Sequence, residues 1–322
     1  MIAHWLWADS FPSDLGMLAV AMALDLALPQ MPSRIHPVAW MGVLIKGLEA
    51  LAPRSGKSRQ FAAGVIIAIL VPTLFAIGAA LVAWGSQKAG TAPHVGLGGV
   101  LLMCTFSVRG LTRAGTATAV VLAKDDLVAA QESLRSLVSR DTSRLSAGQV
   151  TGAALESVAE NSTDSFIAPW LYFALFGLAG AFAYRAINTL DSMIGYHGHY
   201  EFLGKASARL DDAANFLPAR LTAILMLLSG ALLRLPALRG RRTMLRDSGL
   251  TASPNAGWTM SAMAGLLGVR LEKTGLYALG AEFSEPRAEH IRRANAIVHL
   301  LAALGLIVTA AVLVARHAIA GG

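Results

Sequence analysis

Long apolar stretches alternate with polar segments along this chain of 322 residues. A helix that crosses a bilayer needs about 20 apolar residues. Residues 61–84, residues 221–233 with an extension back to 217, and residues 294–315 form the clearest stretches of this kind. In the last of them, Asn295 and His299 are the strongly polar side chains. The pattern predicts an all-α, polytopic integral membrane protein.

Three further apolar stretches are less regular. Residues 15–28 and 95–108 are short for a span, and residues 166–184 contain Pro169, Gly177 and Gly180. Irregular backbone is tolerated at membrane depth only where protein or a wet cavity covers it. We therefore predict four to five spanning helices, with residues 166–184 broken, re-entrant or buried in protein.

Polar segments at residues 109–165, 184–218 and 235–293 separate the apolar stretches. The first is rich in Ala, with Leu and Val at helical spacing, which predicts amphipathic helices rather than strands. Basic clusters at 54–59, 109–113 and 234–246 favour the cytoplasmic side. We expect a single multi-pass domain over residues 1–322 in the cell (inner) membrane, with amphipathic helices and the active site towards the cytoplasm.

Composition supports a membrane protein over a soluble or nucleic-acid-binding one. Hydrophobic residues make up 55% of the chain and charged residues 15%, whereas soluble domains carry about 25% charged residues. A net charge of +7 is explained by basic residues at lipid headgroups, so we expect membrane lipid and no nucleic acid as a partner. The single cysteine, Cys104, cannot form an internal disulfide or a thiolate zinc site.

Acidic residues cluster before the broken stretch. Glu156, Glu160 and Asp164 are spaced four apart, with Asn161 beside them, so one face of an α-helix carries all four. Oxygen ligands of this kind suit Mg²⁺. The alternative is a solvated acidic surface, but no Lys or Arg lies between Arg144 and Arg185 to offset the repulsion.

Two other segments combine acids, amides and arginines. Arg185, Asn188 and Asp191 form a polar stripe at residues 184–196, which is either functional or an internal polar lock. Asp211 and Asn215 are flanked by Arg209 and Arg220 at residues 208–221. Acids for a metal and arginines for phosphate suit phosphoryl transfer, whereas interfacial anchoring is the simpler alternative.

A fourth segment, residues 139–145, places Arg140 and Arg144 on one helix face with Asp141 between them. Phosphate binding and a surface ion pair both explain it, and the segment alone favours the ion pair.

The order of these blocks resembles the CobD/CbiB family of membrane enzymes of cobalamin biosynthesis. The matching stretches are HPVAWMG (36–42), SRDTSRL (139–145), the block 156–169, YRAINTLDSMIGY (184–196), ARLDDAANFLPARL (208–221) and SPNAGWTMSAMAGLLGVRLEK (253–273). The family's Gly-Asp-Pro turn before the His-Pro block is absent, since Asp25 is followed by LALPQ. After Lys273 the likeness weakens, and no roles are carried over to residues 283–287.

The resemblance implies an ATP- and Mg²⁺-dependent acid–amine ligase. It implies that adenosylcobyric acid is joined by an amide bond to aminopropanol or its phosphate, and that other membrane enzymes of the pathway can associate with the chain. The residues expected to act in catalysis are Glu160, Asp164, His36 and Asp191. Those expected to bind substrate or phosphate are Arg140, Arg185, Asn188, Arg209, Arg220 and Asn255. Those expected to hold metal are Glu156, Glu160, Asn161, Asp164 and Asp211.

Three other functions compete with this interpretation. Broken helices and buried charges also suit a transporter, although the chain shows no inverted repeat. A non-catalytic regulator on the same scaffold, of the AmpE type, would be free to lose the acidic cluster. A CDP-alcohol phosphotransferase would carry an Asp-Gly-x-x-Ala-Arg core, which the chain lacks.

Overall fold

A computed structural model describes residues 10–28, 31–138, 141–196 and 198–320. The helices are α1 Phe11–Ala27, α2 Pro37–Leu51, α3 Lys57–Gln87, α4 Thr91–Met103, α5 Val108–Leu122, α6 Leu127–Leu134, α7 Ala147–Ser162, a π-helix Thr163–Ile167, α8 Ala168–Ile194, α9 Lys205–Ala214, α10 Phe216–Leu232, α11 Ala237–Asp247, α12 Ala256–Leu267 and α13 Ala288–Ala320. Two short antiparallel strands, β1 Leu271–Lys273 and β2 Tyr277–Leu279, are the only strands of the described chain. The predicted all-α class is confirmed apart from this hairpin.

The contacts divide the chain into two compact units. Unit 1 comprises residues 1–107, 168–214 and 307–322, and unit 2 comprises residues 108–167 and 215–306. Both units are discontinuous in sequence, so neither is a stretch of chain that could be excised. The expectation of one membrane domain stays a prediction.

Among the described residues, four helical runs are long and apolar enough to cross a membrane. They are Lys57–Gln87, Thr91–Leu122, Ala147–Ile194 and Ala288–Ile319, and Lys205–Ala214 with Phe216–Leu232 makes a fifth if the bent pair is one span. This confirms the prediction of four to five spans. Helix α1, with 17 residues, is short for a span.

Helix α3 of unit 1 has the surface of a lipid-facing span. Its 31 residues carry Ile66, Ile69, Ile77 and Leu81 with more than half of each side chain exposed. Such a surface would be a liability in water, whereas lipid accepts it. The predicted stretch 61–84 is therefore the exposed middle of α3.

Helix α8 of unit 1 is a hairpin rather than a rod. Phe176 (φ −132°, ψ 15°) and Gly177 (φ 65°, ψ −159°) leave helical geometry. In a straight helix Tyr172 and Tyr184 would be about 18 Å apart along the axis, yet their rings stack at 5.1 Å. A Cβ on Gly180 would lie 2.5 Å from the carbonyl oxygen of Tyr172. The segment before Gly177 therefore folds back on the segment after it, as predicted for residues 166–184.

Arg316 of α13 stabilises the turn of this hairpin. The break removes helical hydrogen-bond partners from nearby carbonyls, and Arg316 Nη1 donates to the carbonyl oxygens of Ala174 (3.0 Å) and Phe173 (3.5 Å). Its Nη2 also pairs with the fully buried carboxylate of Asp14. His317 Nε2 lies 2.8 Å from the same carboxylate. Both terminal nitrogens of the buried guanidinium therefore have partners, the carbonyls on Nη1 and the carboxylate on Nη2.

Unit 2 is built on two buried helices. Every residue of α12 except Trp258 is buried, as are residues 150–159 of α7. An apolar helix of 12 residues is too short to span a bilayer, and burial all round is typical of a core helix. Helix α5 instead buries one side, with Val108, Leu111 and Gly115 among its buried residues, which confirms the predicted amphipathic helix.

Candidate functional site

The predicted acidic face belongs to unit 2 and has two parts. Glu156 and Glu160 lie one turn apart on α7, with Glu156 6% exposed and Glu160 open to solvent. Asp164 lies in the π-helix and is half-buried. A π-helix has more residues per turn than an α-helix, so the expectation of one uniform α-helical face is wrong from residue 163 onward. Short π-helical segments are frequent at functional sites.

Asn161 is oriented by its own helix. Its amide nitrogen donates to Ser157 O (2.9 Å) and Ser157 Oγ (3.0 Å), so the amide oxygen is the atom of this side chain that suits a metal ligand. Ser157 Oγ in turn donates to Leu137 O (2.7 Å). This bond holds the chain just after α6 against the acidic helix. Arg140, three residues beyond Leu137, lies outside the described residues.

The oxygen atoms of this face are of the kind that Mg²⁺ prefers, although the residues that the structure describes do not by themselves enclose a metal. In the described part of the chain, no group of three or more His, Cys, Asp or Glu side chains is close enough to hold a metal ion. Mg²⁺ keeps several waters and takes one or two carboxylates together with substrate phosphates. Glu160, Asp164 and the Asn161 oxygen supply that chemistry, and the metal stays a prediction.

Arg220 and Asn255, both predicted to bind phosphate, are in contact in unit 2. Arg220 Nη1 donates to Asn255 Oδ1 (3.1 Å) and to Phe216 O (2.6 Å). The guanidinium carbon lies 3.6 Å from the Phe216 ring centroid and 4.8 Å from that of Trp258. Cation–π contact with two aromatic rings restricts the guanidinium. Asn255 immediately precedes α12, so the pair lies at the amino end of a buried helix.

Unit 1 brings His36 towards the polar stripe of α8. Thr189 Oγ1 lies 3.9 Å from Met41 Sδ, so α2 packs on α8 with His36 at the end that faces Arg185. Burial, and then the positive charge of Arg185, hold the pKa of His36 below its usual value. Arg185 Nη1 donates to Asn188 Oδ1 at 3.4 Å. Asp191 follows on the same helix and is half-buried.

The backbone bond of His36 decides which ring atom is available. His36 is the N-cap of α2, and its Nδ1 accepts a hydrogen bond from Val38 N (3.2 Å). A neutral imidazole that accepts at Nδ1 carries its proton on Nε2. His36 therefore presents an N–H donor, whereas a general base would need a free lone pair.

The remaining predicted residues of unit 1 are only partly explained. Arg209, 75% exposed at its side chain, pairs with Asp212 at 3.4 Å. Asp211 has one carboxylate oxygen shielded from solvent. Asp25, the acid before the His-Pro block, accepts a hydrogen bond from Ser107 Oγ (3.0 Å). This contact favours a structural role for Asp25.

Asp14, Arg316 and His317 form a polar cluster that the sequence pattern did not predict. The predicted span ended at residue 315, one residue before Arg316. The signal that could have found it was a charged residue at the end of an apolar run, since ionisable groups within a span are rarely without a role. No local pattern indicates that Asp14, about 300 residues away, is the partner.

The fold and these polar sets define a multi-pass helical membrane protein that carries a carboxylate face in one unit and an arginine–amide stripe in the other. The CobD/Cbib protein family matches residues 18–307, and the chain belongs to this family. No solved structure matches the chain.

Relatives from three organisms support this assignment. The cobalamin biosynthesis protein CobD of Dehalococcoides mccartyi is 42% identical, over 81% of this chain and 85% of that protein. The probable cobalamin biosynthesis protein CobD of Methanothermobacter thermautotrophicus is 40% identical, over 83% and 87%. The cobalamin biosynthesis protein CobD of Klebsiella pneumoniae is 38% identical, over 78% and 80%.

Proposed function

We propose that this chain is an ATP-dependent ligase of cobalamin biosynthesis that joins adenosylcobyric acid to aminopropanol or its phosphate. A family of cobalamin biosynthesis proteins supports a biosynthetic role over the transporter and regulator alternatives. The observation that carries the ligase proposal is the solvent-accessible carboxylate set of Glu160 and Asp164 with the Asn161 amide oxygen. We further propose that the site faces the cytoplasm of the inner membrane.

The reaction needs an activated carboxyl group. ATP transfers its terminal phosphoryl group to the substrate carboxylate, ADP leaves, and the amine nitrogen attacks the acyl carbon. The new C–N bond forms as the acyl–phosphate bond breaks, releasing phosphate and one proton. Arginines stabilise the charge that develops on transferring phosphoryl oxygens. Arg220, in contact with two aromatic rings, and Arg185, beside Asn188, suit this task in their respective units.

The acidic residues have two tasks in this proposal. A bound Mg²⁺ neutralises the phosphate charge of ATP, and Glu160, Asn161 and Asp164 are the groups that would hold it. A carboxylate must also take the proton from the attacking ammonium, for which Asp191 is the candidate in unit 1. His36 acts as an Nε2–H donor to a substrate oxygen rather than as a base.

A direct assay tests the proposal. Purified protein is given adenosylcobyric acid, ATP and aminopropanol or its phosphate, and amide formation is followed by mass spectrometry. Glu160→Ala and Asp164→Ala should each abolish product while the protein still unfolds cooperatively. Glu132→Ala is the matched control, because Glu132 is an exposed carboxylate paired with Arg135 at 3.0 Å and such pairs contribute little. Full activity in both test variants would refute the role of this face.

A further inference from the structure

An open cavity in unit 2 has no role in the site described above. It encloses about 390 Å³ where α5 ends at Leu122 and where α7 and α13 begin. Small-molecule sites range from about 300 to 1,000 Å³. A space at the lower end of that range admits a small metabolite and excludes a corrinoid.

The wall of the cavity carries charges of both signs. Glu285 and Arg287 line it, two positions apart, together with the hydroxyl-bearing Ser284 and Thr151. One carboxylate oxygen of Glu285 lies 3.5 Å from Arg270 Nη2. The other faces Gly148, where an added Cβ would lie 2.7 Å away. One arginine and one carboxylate thus give the wall a partner for an anion and a partner for a cation.

The segment that carries these charges is fixed by its backbone. Ser284 O accepts from Arg270 N (2.9 Å), Pro286 is buried, and Arg287 N donates to His290 Nδ1 (2.9 Å). These bonds hold the backbone at both ends of the segment 284–287 without a ligand. A backbone that is already ordered lowers the entropic cost of binding.

We propose that this cavity binds a small zwitterion that has an ammonium group and a phosphate, the chemistry of an amino alcohol phosphate. The phosphate pairs with Arg287, close to the first turns of α7 and α13, whose N–H groups favour an anion. The ammonium lies against Glu285, and the hydroxyl oxygens of Ser284 and Thr151 accept hydrogen bonds beside it. The proposal rests on the proposed function in that such a compound is the amine substrate of the ligase.

Binding measurements without ATP or corrinoid test the cavity alone. Purified protein in detergent is titrated calorimetrically with phosphoethanolamine, ethanolamine and inorganic phosphate. Arg287→Gln should weaken phosphoethanolamine and inorganic phosphate by about 10- to 100-fold, the loss expected for a charge-assisted hydrogen bond. Glu285→Gln should weaken phosphoethanolamine but not inorganic phosphate. Arg292→Gln, an exposed arginine five residues further on α13 and outside the cavity wall, is the matched control.

Two outcomes overturn the proposal. In one, Arg287→Gln binds all three probes as the natural protein does. In the other, ethanolamine binds as tightly as phosphoethanolamine. Product formation is measured separately: amide formation with an unchanged amine KM in Arg287→Gln refutes the cavity and leaves the ligase standing. Selective binding through Arg287 and Glu285 in a protein that makes no amide refutes the ligase and supports the cavity.

Discussion

The turn of the α8 hairpin depends on Gly177, and Gly177→Ala tests whether the chain folds back there. At φ 65° and ψ −159° the backbone is in a region essentially restricted to glycine, where another residue costs about 1–3 kcal/mol. The substitution adds one methyl group and no charge. We therefore expect the free energy of unfolding to fall by about 1–3 kcal/mol because the backbone at this position is strained.

A second substitution and a control separate this strain from a general cost of Gly→Ala. A Cβ on Gly180 would meet the Tyr172 carbonyl oxygen at 2.5 Å and Phe176 Cβ at 2.6 Å. Overpacking of this kind costs about 1–3 kcal/mol. Gly78 in α3 has nothing within 4 Å of an added Cβ, so Gly78→Ala should stabilise by about 0.5–1 kcal/mol through helix propensity.

Thermal unfolding of the purified protein in detergent is the assay. Each kcal/mol shifts Tm by about 2–4 °C in domains of about 150–250 residues, so Gly177→Ala should lower Tm by about 2–12 °C. Gly180→Ala should lower Tm by a similar amount, and Gly78→Ala should raise it. If Gly177→Ala matches Gly78→Ala, α8 is a continuous helix and the hairpin is refuted.

Three further predictions concern polar contacts elsewhere in the chain. His36→Asn keeps an N-cap acceptor and removes the imidazole, so product formation should fall at an unchanged Tm. His36→Ala also removes the cap and should lose about 1 kcal/mol of stability. Full activity in the Asn variant would contradict the donor role. Arg316→Met leaves Asp14 as a buried carboxylate without its arginine, so the free energy of unfolding should fall by about 3–5 kcal/mol in thermal or denaturant unfolding. Adding Asp14→Asn to the same chain should recover part of this loss. No recovery would show that the ion pair is not the cause. The hydrogen bond from the Arg246 side chain, and that from the Gly280 N–H, hold the pKa of Asp247 below its usual value. The ionised carboxylate therefore stabilises the fold at neutral pH, and this contribution is lost as the pH falls from about 5 through the folded-state pKa. Tm measured from neutral to acidic pH should fall less in Asp247→Asn than in the natural protein.

Periodicity and composition predicted the helical membrane class because lipid selects long apolar runs whatever their partners are. The irregularity of residues 166–184 was also predictable, since a proline and two glycines within one apolar run weaken a continuous helix. Whether the irregular stretch would be broken, re-entrant or buried in protein was left open. The contact of Tyr172 with Tyr184 settles it, and that contact depends on the backbone angles of Phe176 and Gly177.

In the candidate site, too, the sequence predicted the residue types and the structure decided their geometry. Residue types and spacing were enough to group Glu156, Glu160 and Asp164, but not to find that Asp164 lies in a π-helix, because no sequence period distinguishes that turn. The resemblance also placed His36 among the residues expected to act in catalysis. Only the hydrogen bond from Val38 N shows that its outward nitrogen is a donor.

Local composition and helical period were enough to establish that the chain is helical, enters the membrane, and carries acids, amides and arginines between apolar runs. Which distant groups meet was settled by packing in three dimensions. Arg316 joins Asp14 and the carbonyls of a broken helix, and Arg220 joins Asn255 between two rings. Such pairings depend on contacts between elements far apart in the chain, which local patterns do not encode.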